Sequence, residues 1–199
     1  KQMIRLLSTK PLLPEEVETF ATSGFQVETL PFIRVRTLDT LAPFPKADFS
    51  IFTSRNAVEA VLKVPTAKAQ APHKAFCVGE KTRKCLEKAG WEVVASFGYA
   101  QQLADHLVEQ YACYSFVFFC GERRMETLPE QLKAHGMPCH ECLTYTTELT
   151  PQKLHKPYDG LLFFSPSAVK SFLKENRFAG EKIICIGSTT QGAIPQGIT

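Results

Sequence analysis

Short apolar runs alternate with stretches whose apolar residues recur every three or four positions, the pattern of strands each followed by a helix. Strands are expected at residues 3–7, 25–29, 49–53, 75–78, 92–95, 114–120, 138–142, 160–164 and 182–186. Helices are expected between them near residues 14–22, 56–62, 82–89, 101–110, 125–135, 166–175 and 189–194. Alternation of this kind builds parallel sheets covered by helices. Nine strands do not fit readily into one small sheet.

An internal repeat separates them into two sets. Phe52-Thr53-Ser54-Arg55-Asn56-Ala57-Val58 recurs as Phe163-Phe164-Ser165-Pro166-Ser167-Ala168-Val169, an offset of 111 residues. Gly24 and Gly136, each between a helix and a strand, are 112 apart, and Cys77-Val78-Gly79 precedes Cys185-Ile186-Gly187 by 108. Extended segments at 31–37 and 143–148 hold equivalent places in the two copies. A simple tandem division near residue 112 would fall in Tyr111-Ala112-Cys113-Tyr114, which lacks the Pro, Gly or Ser of a linker. The extended segments are better crossing points. The expected fold is therefore α/β, with two similar doubly wound, flavodoxin-like parallel-sheet domains joined by a two-stranded crossover. Residues 1–32 with 149–199 form the discontinuous first domain, 38–142 the second, and 33–37 and 143–148 the crossovers. By the repeat, Gly197-Ile198-Thr199 matches Gly90-Trp91-Glu92 at the start of a strand, so a last strand and helix are expected to be missing, and the first residues read as a trimmed end.

Composition narrows the chemistry. The chain of 199 residues has 44% hydrophobic and 22% charged residues and a net charge of +3, without a block of five like charges, so neither a nucleic-acid nor a membrane surface is indicated. The longest apolar runs, such as Phe116-Val117-Phe118-Phe119-Cys120, fall far short of the roughly 20 residues of a spanning helix. No secretory signal is visible, and seven cysteines, an odd number scattered over strands and a helix, read as reduced thiols of a cytoplasmic protein. Cys139-His140-Glu141-Cys142 has metal-like spacing, but residues three apart in a strand point to opposite faces and do not chelate one ion. The five histidines are expected to be solvated.

Ligands of open parallel sheets bind at the carboxyl ends of the strands, where helix N-termini offer amides and partial positive charge. Those edges here read Ser8-Thr9-Lys10, Thr53-Ser54-Arg55-Asn56, Gly79-Glu80-Lys81-Thr82, Gly121-Glu122-Arg123-Arg124, Ser165-Pro166-Ser167 and Gly187-Ser188-Thr189-Thr190. Each is also what helix capping alone would select. Together they fit loops that bind an anion through amides and hydroxyls. No dinucleotide glycine triplet, Walker loop or nucleophile elbow is present.

Phe52-Thr53-Ser54-Arg55-Asn56-Ala57-Val58, Val78-Gly79-Glu80-Lys81-Thr82, Leu143-Thr144-Tyr145-Thr146-Thr147, Phe163-Phe164-Ser165-Pro166-Ser167-Ala168-Val169 and Ile186-Gly187-Ser188-Thr189-Thr190 resemble, in their order and spacing, the uroporphyrinogen-III synthase family over nearly the whole chain. The chain departs from the family at Ala168, often Gly there, and at Gln191, often Ala. The resemblance implies two α/β domains across a cleft, a linear tetrapyrrole substrate, hydroxymethylbilane, and cyclisation with loss of water and inversion of the last ring. Closure without the enzyme leaves that ring uninverted, so orientation decides the product. Tyr145 is implied as proton or hydrogen-bond donor to the leaving hydroxyl. Ser54, Asn56, Gly79, Thr82, Gly121, Ser165, Ser167, Ala168, Thr189 and Thr190 are implied in substrate binding, with Arg55, Lys81 and Arg123 as charge partners. No cofactor or metal is implied, and the protein is expected to act as a monomer with at most a transient contact to hydroxymethylbilane synthase. Two other readings remain open at this point: a two-lobed sensor of the periplasmic-binding-protein type for a small anion, and, less well supported, a pair of flavodoxin-like or receiver domains.

Overall fold

In the computed structural model, which describes residues 3–197, the chain divides into two units, one comprising residues up to Arg34 and from Thr147 onward, the other Val35–Thr146. The first contains β1 (Ile4–Ser8), α1 (Pro14–Thr22), β2 (Phe25–Thr29), β9 (Gly160–Phe163), α7 (Pro166–Glu175), β10 (Lys182–Cys185) and α8 (Ser188–Gln191). The second contains β4 (Phe49–Phe52), α2 (Arg55–Lys63), α3 (Pro65–Gln70), β5 (Lys74–Val78), α4 (Glu80–Lys88), β6 (Glu92–Phe97), α5 (Ala100–Gln110), β7 (Phe116–Gly121) and α6 (Thr127–Ala134). Both unit boundaries fall inside strands, β3 (Ile33–Thr37) and β8 (Cys139–Leu149). The segment 143–148 is thus the second half of a strand that starts at Cys139, since neither Pro nor Gly interrupts that run.

The four-stranded sheet runs β10-β9-β1-β2 and the six-stranded sheet β3-β8-β7-β4-β5-β6. Under the sequence repeat, β9 corresponds to β4, β10 to β5, β1 to β7 and β2 to β8. The orders β2-β1-β9-β10 and β8-β7-β4-β5 are then the same arrangement with different chain connections. All recorded pairings among these strands are parallel. In each unit the strand order reverses at one place, between β4 and β7 or between β1 and β9, the position whose carboxyl ends form the ligand crevice of open parallel sheets.

The six-stranded sheet is buried on both faces, which explains its unbroken apolar strands. Alternation sends Phe52, Val117 and Phe119 to the side of α2 and α4, against Val58, Val61 and Leu86. It sends Ile51, Phe116 and Phe118 to the side of α5 and α6, against Leu103, Leu107, Leu128 and Leu132. In the first unit Leu7, Leu161 and Phe163 pack on Val169 and Phe172 of α7, while α1 buries no residue completely. One helix, α3, is absent from the sequence expectations; it is a short element begun by Pro65 at its first position. Gly197, at φ +85°, takes the conformation of Gly90 at +91°, its repeat counterpart; the expected strand start at Ile198-Thr199 lies outside the described residues. No helix among the described residues is long and apolar enough to cross a membrane.

A charge cluster ties the loop before β9 to the first sheet. Glu28 accepts hydrogen bonds from Lys156 Nζ at 2.7 Å and Tyr158 Oη at 2.9 Å, and Arg5 lies 3.7 Å away. Lys156 and then Tyr158 hold the Glu28 carboxyl below its ordinary value, and burial together with Glu28 pushes the Tyr158 phenol up to about 12. Because folding lowers the Glu28 pKa, its stabilisation is fully present above the unfolded value, about 4.3, and is lost as pH falls through the folded one. Glu28→Gln is expected to destabilise the protein at pH 7 by up to about 1 kcal/mol, typical of part-exposed pairs. In urea titrations the difference from wild type should shrink as the pH is lowered from 7 towards 3; an equal deficit at both ends would contradict the assignment.

Candidate active site

At the β4/β7 crevice the local sequence builds a small constellation. Ser54 follows β4 as the N-cap of α2, its Oγ accepting a hydrogen bond from the Asn56 amide at 3.2 Å. Tyr145 reaches it from β8, two strands away, and its phenol donates to Ser54 Oγ at 3.2 Å. Gly121, the last residue of β7, lies beneath the ring: a Cβ there would stand 2.6 Å from Tyr145 Cε2 and 2.7 Å from Oη. Such distances are well inside van der Waals contact, so only glycine admits the ring in this position.

A register shift aims the ring. Cys120 pairs with Leu143, but Gly121 pairs with Tyr145, leaving Thr144 as the extra residue of a bulge. Thr144 is fully buried, donates from Oγ1 to the Cys120 carbonyl at 3.0 Å and accepts from the Leu38 amide at 3.0 Å. Strict alternation would put Tyr145 on the face opposite Cys142. With the bulge it packs on the same side as Cys142, Phe52 and Val58, the side that carries Ser54. The Glu122 amide donates to the Tyr145 carbonyl at 3.1 Å and closes the strand end.

One strand along, Gly79 caps α4 at φ +89°, and Thr82, its third residue, is buried with its amide on the Gly79 carbonyl at 3.1 Å. The structure therefore brings Ser54, Asn56, Gly121 and Tyr145 around one crevice, with Gly79 and Thr82 beside it at the end of β5. In the first unit Ser165 caps α7, accepting from the Ala168 amide at 3.2 Å; Ala168 itself is buried in the core, and Ser167 lies in the first turn. Thr189 is exposed and Thr190 buried, both inside α8. Neither caps the helix, as a hydroxyl loop would suggest, because Gly187 occupies the N-cap position in extended conformation and the helix starts at Ser188.

The predicted charge partners differ in their surroundings. Arg55 is paired with Glu59 at 3.1 Å along its own helix, and Lys81 and Arg123 are exposed. Neighbouring Arg83 is held by Glu80 and Glu87, both at 2.6 Å, which raises its pKa. Cys139 packs on one face of the sheet and Cys142 on the other, so the two do not share an ion. Burial pushes the thiols of Cys120 and Cys139 up to about 12 and Cys142 to about 11, leaving them protonated at neutral pH. Among the described residues no three His, Cys, Asp or Glu side chains gather to hold a metal. His106 and His140 are not fully solvated: His140 is half-buried within β8, and His106 lies 5.0 Å from Phe97 and 5.6 Å from Tyr111 because its helix neighbours Leu103 and Leu107 turn that face to the core.

One feature of this geometry has no sequence signal of its own, and another is marked in the sequence only as part of a strand edge. The bulge at Thr144 is invisible to alternation, and Lys10, just past β1, stands at the β1/β9 crevice with its ammonium 4.4 Å from the centre of the Phe164 ring.

Among solved structures the chain is similar to uroporphyrinogen-III synthetase from Helicobacter pylori 26695, at 21% identity and a TM-score of 0.71, covering 98% of this chain and 92% of that one. It is similar at 15% identity and a TM-score of 0.64 to a mutant uroporphyrinogen III synthase from the extremely thermophilic bacterium Thermus thermophilus, covering 96% of this chain and 87% of that one. At such identities these likenesses establish the fold. The sequence family described as uroporphyrinogen-III synthase HemD matches residues 15–197, which span both crevices apart from the end of β1. With that match over nearly its whole length, the chain belongs to the uroporphyrinogen-III synthase family.

Proposed function

We propose that this protein is a cyclising lyase of tetrapyrrole (haem) biosynthesis that closes hydroxymethylbilane to uroporphyrinogen III, with loss of water and inversion of ring D. The observation that carries the residue-level reading is the Tyr145 phenol seated over Gly121 on Ser54, in a member of this family. The substrate supplies much of the driving force itself. A pyrrole nitrogen lone pair expels the protonated terminal hydroxyl as water, giving an azafulvenium that the substituted carbon of the last ring then attacks; the spiro intermediate rearranges with that ring inverted, and the proton lost from its formerly free α-carbon as the ring becomes aromatic again restores the donor. No electrons enter or leave, and the reading assigns no cofactor. The protein protonates the departing hydroxyl and holds the chain in the inverting geometry; effective proximity is worth about 7–11 kcal/mol in favourable cases.

Tyr145 is the proposed donor. In the resting protein its proton lies on Ser54 Oγ, which also accepts from Asn56, so both lone pairs of that oxygen are occupied and the Ser54 proton is left for another acceptor. A substrate hydroxyl arriving at Tyr145 takes the place of Ser54. The carboxylates of the bilane are assigned to hydroxyls and amides at Ser54, Asn56, Gly79, Thr82 and Gly121 on one unit, and Ser165, Ser167, Ala168, Thr189 and Thr190 on the other. Arg55 is drawn off by Glu59, which favours this amide-and-hydroxyl grip over a basic patch. The protein is proposed to act as a cytoplasmic monomer, receiving its short-lived substrate through a transient contact with hydroxymethylbilane synthase. The family match gives the anion-sensor reading no support.

The direct test supplies enzymatically generated hydroxymethylbilane without metal, nucleotide or flavin and separates the uroporphyrinogen isomers; isomer III is expected, and only isomer I at the uncatalysed rate would refute the reading. Tyr145→Phe should lower kcat by about 10²-fold, the lower range for a general acid, and raise the share of isomer I. An unchanged rate and isomer ratio would remove Tyr145 from the mechanism. Gly121→Ala, which adds a methyl where the ring sits, should cost activity comparably while the far-ultraviolet circular dichroism stays native. Retained activity in that variant would show that the ring position does not matter.

A further inference from the structure

We infer that Lys10 is the carboxylate-binding cation at the crevice of the first unit, an assignment that rests on the synthase reading above and names how that unit grips the substrate. Its backbone is fixed where β1 ends. Thr9 directs both its amide and its hydroxyl to the Leu162 carbonyl of β9, at 3.1 and 2.7 Å, and Ser8 Oγ donates to the Lys10 carbonyl at 2.7 Å. The side chain cannot wander far from that anchor, and Pro11 follows at once. The ammonium lies over Phe164, the residue immediately before the Ser165 cap of α7. It therefore sits at the point where the strand order of this sheet reverses, beside the N-terminus of a ten-residue helix, and both favour an anion.

What holds the ammonium at rest is weak. Its ion pair with Glu16 is 3.8 Å long and part-exposed, and the other Glu16 oxygen is already engaged by the Leu13 amide at 2.9 Å. The arginines near the other crevice differ: Arg83 is clamped at 2.6 Å by two glutamates and Arg55 is paired at 3.1 Å. A carboxylate arriving at Lys10 displaces a distant partner and a ring face, leaving Glu16 with its amide.

The repeat sharpens the contrast. At the offset of 112, Thr9 takes the place of Gly121. Where glycine leaves room for a tyrosine ring in the second unit, the buried threonine spends its hydroxyl on the Leu162 carbonyl of the neighbouring strand in the first. One crevice presents a phenol and the other an ammonium. A substrate with eight carboxylates and one leaving hydroxyl has a use for each: the phenol for the hydroxyl, the ammonium for a carboxylate that stays ionised throughout.

Steady-state kinetics with hydroxymethylbilane on wild type, Lys10→Met and Lys10→Arg test this. Met keeps the stem over Phe164 and removes the charge; its KM should rise about 10- to 100-fold, as loss of a charge-assisted hydrogen bond requires, with kcat changed less than about threefold. Arg should restore most of the affinity, and thermal unfolding should show all three proteins equally folded. A KM for Lys10→Met within twofold of wild type, or a raised KM that Arg does not restore, would overturn the assignment while leaving the synthase reading intact. A wild type that turns over no bilane would overturn both.

Discussion

The seat of Tyr145 over Gly121, with its phenol on Ser54, is the constraint on which the second unit's site depends. Three strands must agree to make it. β4 ends in a capping serine, β7 ends in the one residue type without a side chain, and β8 carries a bulge that turns the tyrosine to the right face. The bulge is itself anchored by a buried threonine bonded to both neighbouring strands. Moving any of these three would leave the phenol pointing elsewhere, and in the proposed mechanism a proton donor displaced by a few ångströms from the departing oxygen loses most of its effect.

Behind this seat lies an aromatic core that keeps the strand ends in place. Phe52 and Phe119 stack with centroids 5.0 Å apart, close to Ser54 and Gly121 in sequence, so the residues that flank the crevice grow directly out of the packed sheet. The first unit repeats the sheet order through different connections but does not repeat the chemistry. Its helix caps are similar, with Ser165 in the place of Ser54, whereas Thr9, in the place of Gly121, is a buried side chain bonded to the Leu162 carbonyl. Duplication of a scaffold followed by divergence at one strand end is enough to give two crevices of different character.

Much of the fold was legible because its signals are local. The motif around Ser54 and its echo around Ser165 combine a strand end, a cap and an apolar helix face, so they mark both the repeat and the carboxyl edges of the two sheets. Helices such as Pro14–Thr22 and Pro166–Glu175 are bounded by Pro at their first position and were readable to the residue. Other features are set by tertiary pairing. β3 reads only as extended until β8 lies beside it, and the bulge at Thr144 exists because of the neighbouring strands, not because of its own sequence. The hydroxyls of Thr189 and Thr190 looked like caps because their position after a glycine is ambiguous; the glycine takes the cap. Lys10 was legible only as the end of the Ser8-Thr9-Lys10 strand edge, and the strand order adds that β1 lies where the order of its sheet reverses.

Gly121 matters, on this mechanism, because it seats Tyr145. A double-mutant cycle of Gly121→Ala and Tyr145→Phe, read as kcat/KM and as the ratio of uroporphyrinogen isomers, tests that claim most directly. If the glycine acts through the phenol, the double variant is no worse than the more impaired single one. Losses that multiply would show two independent contributions and contradict it.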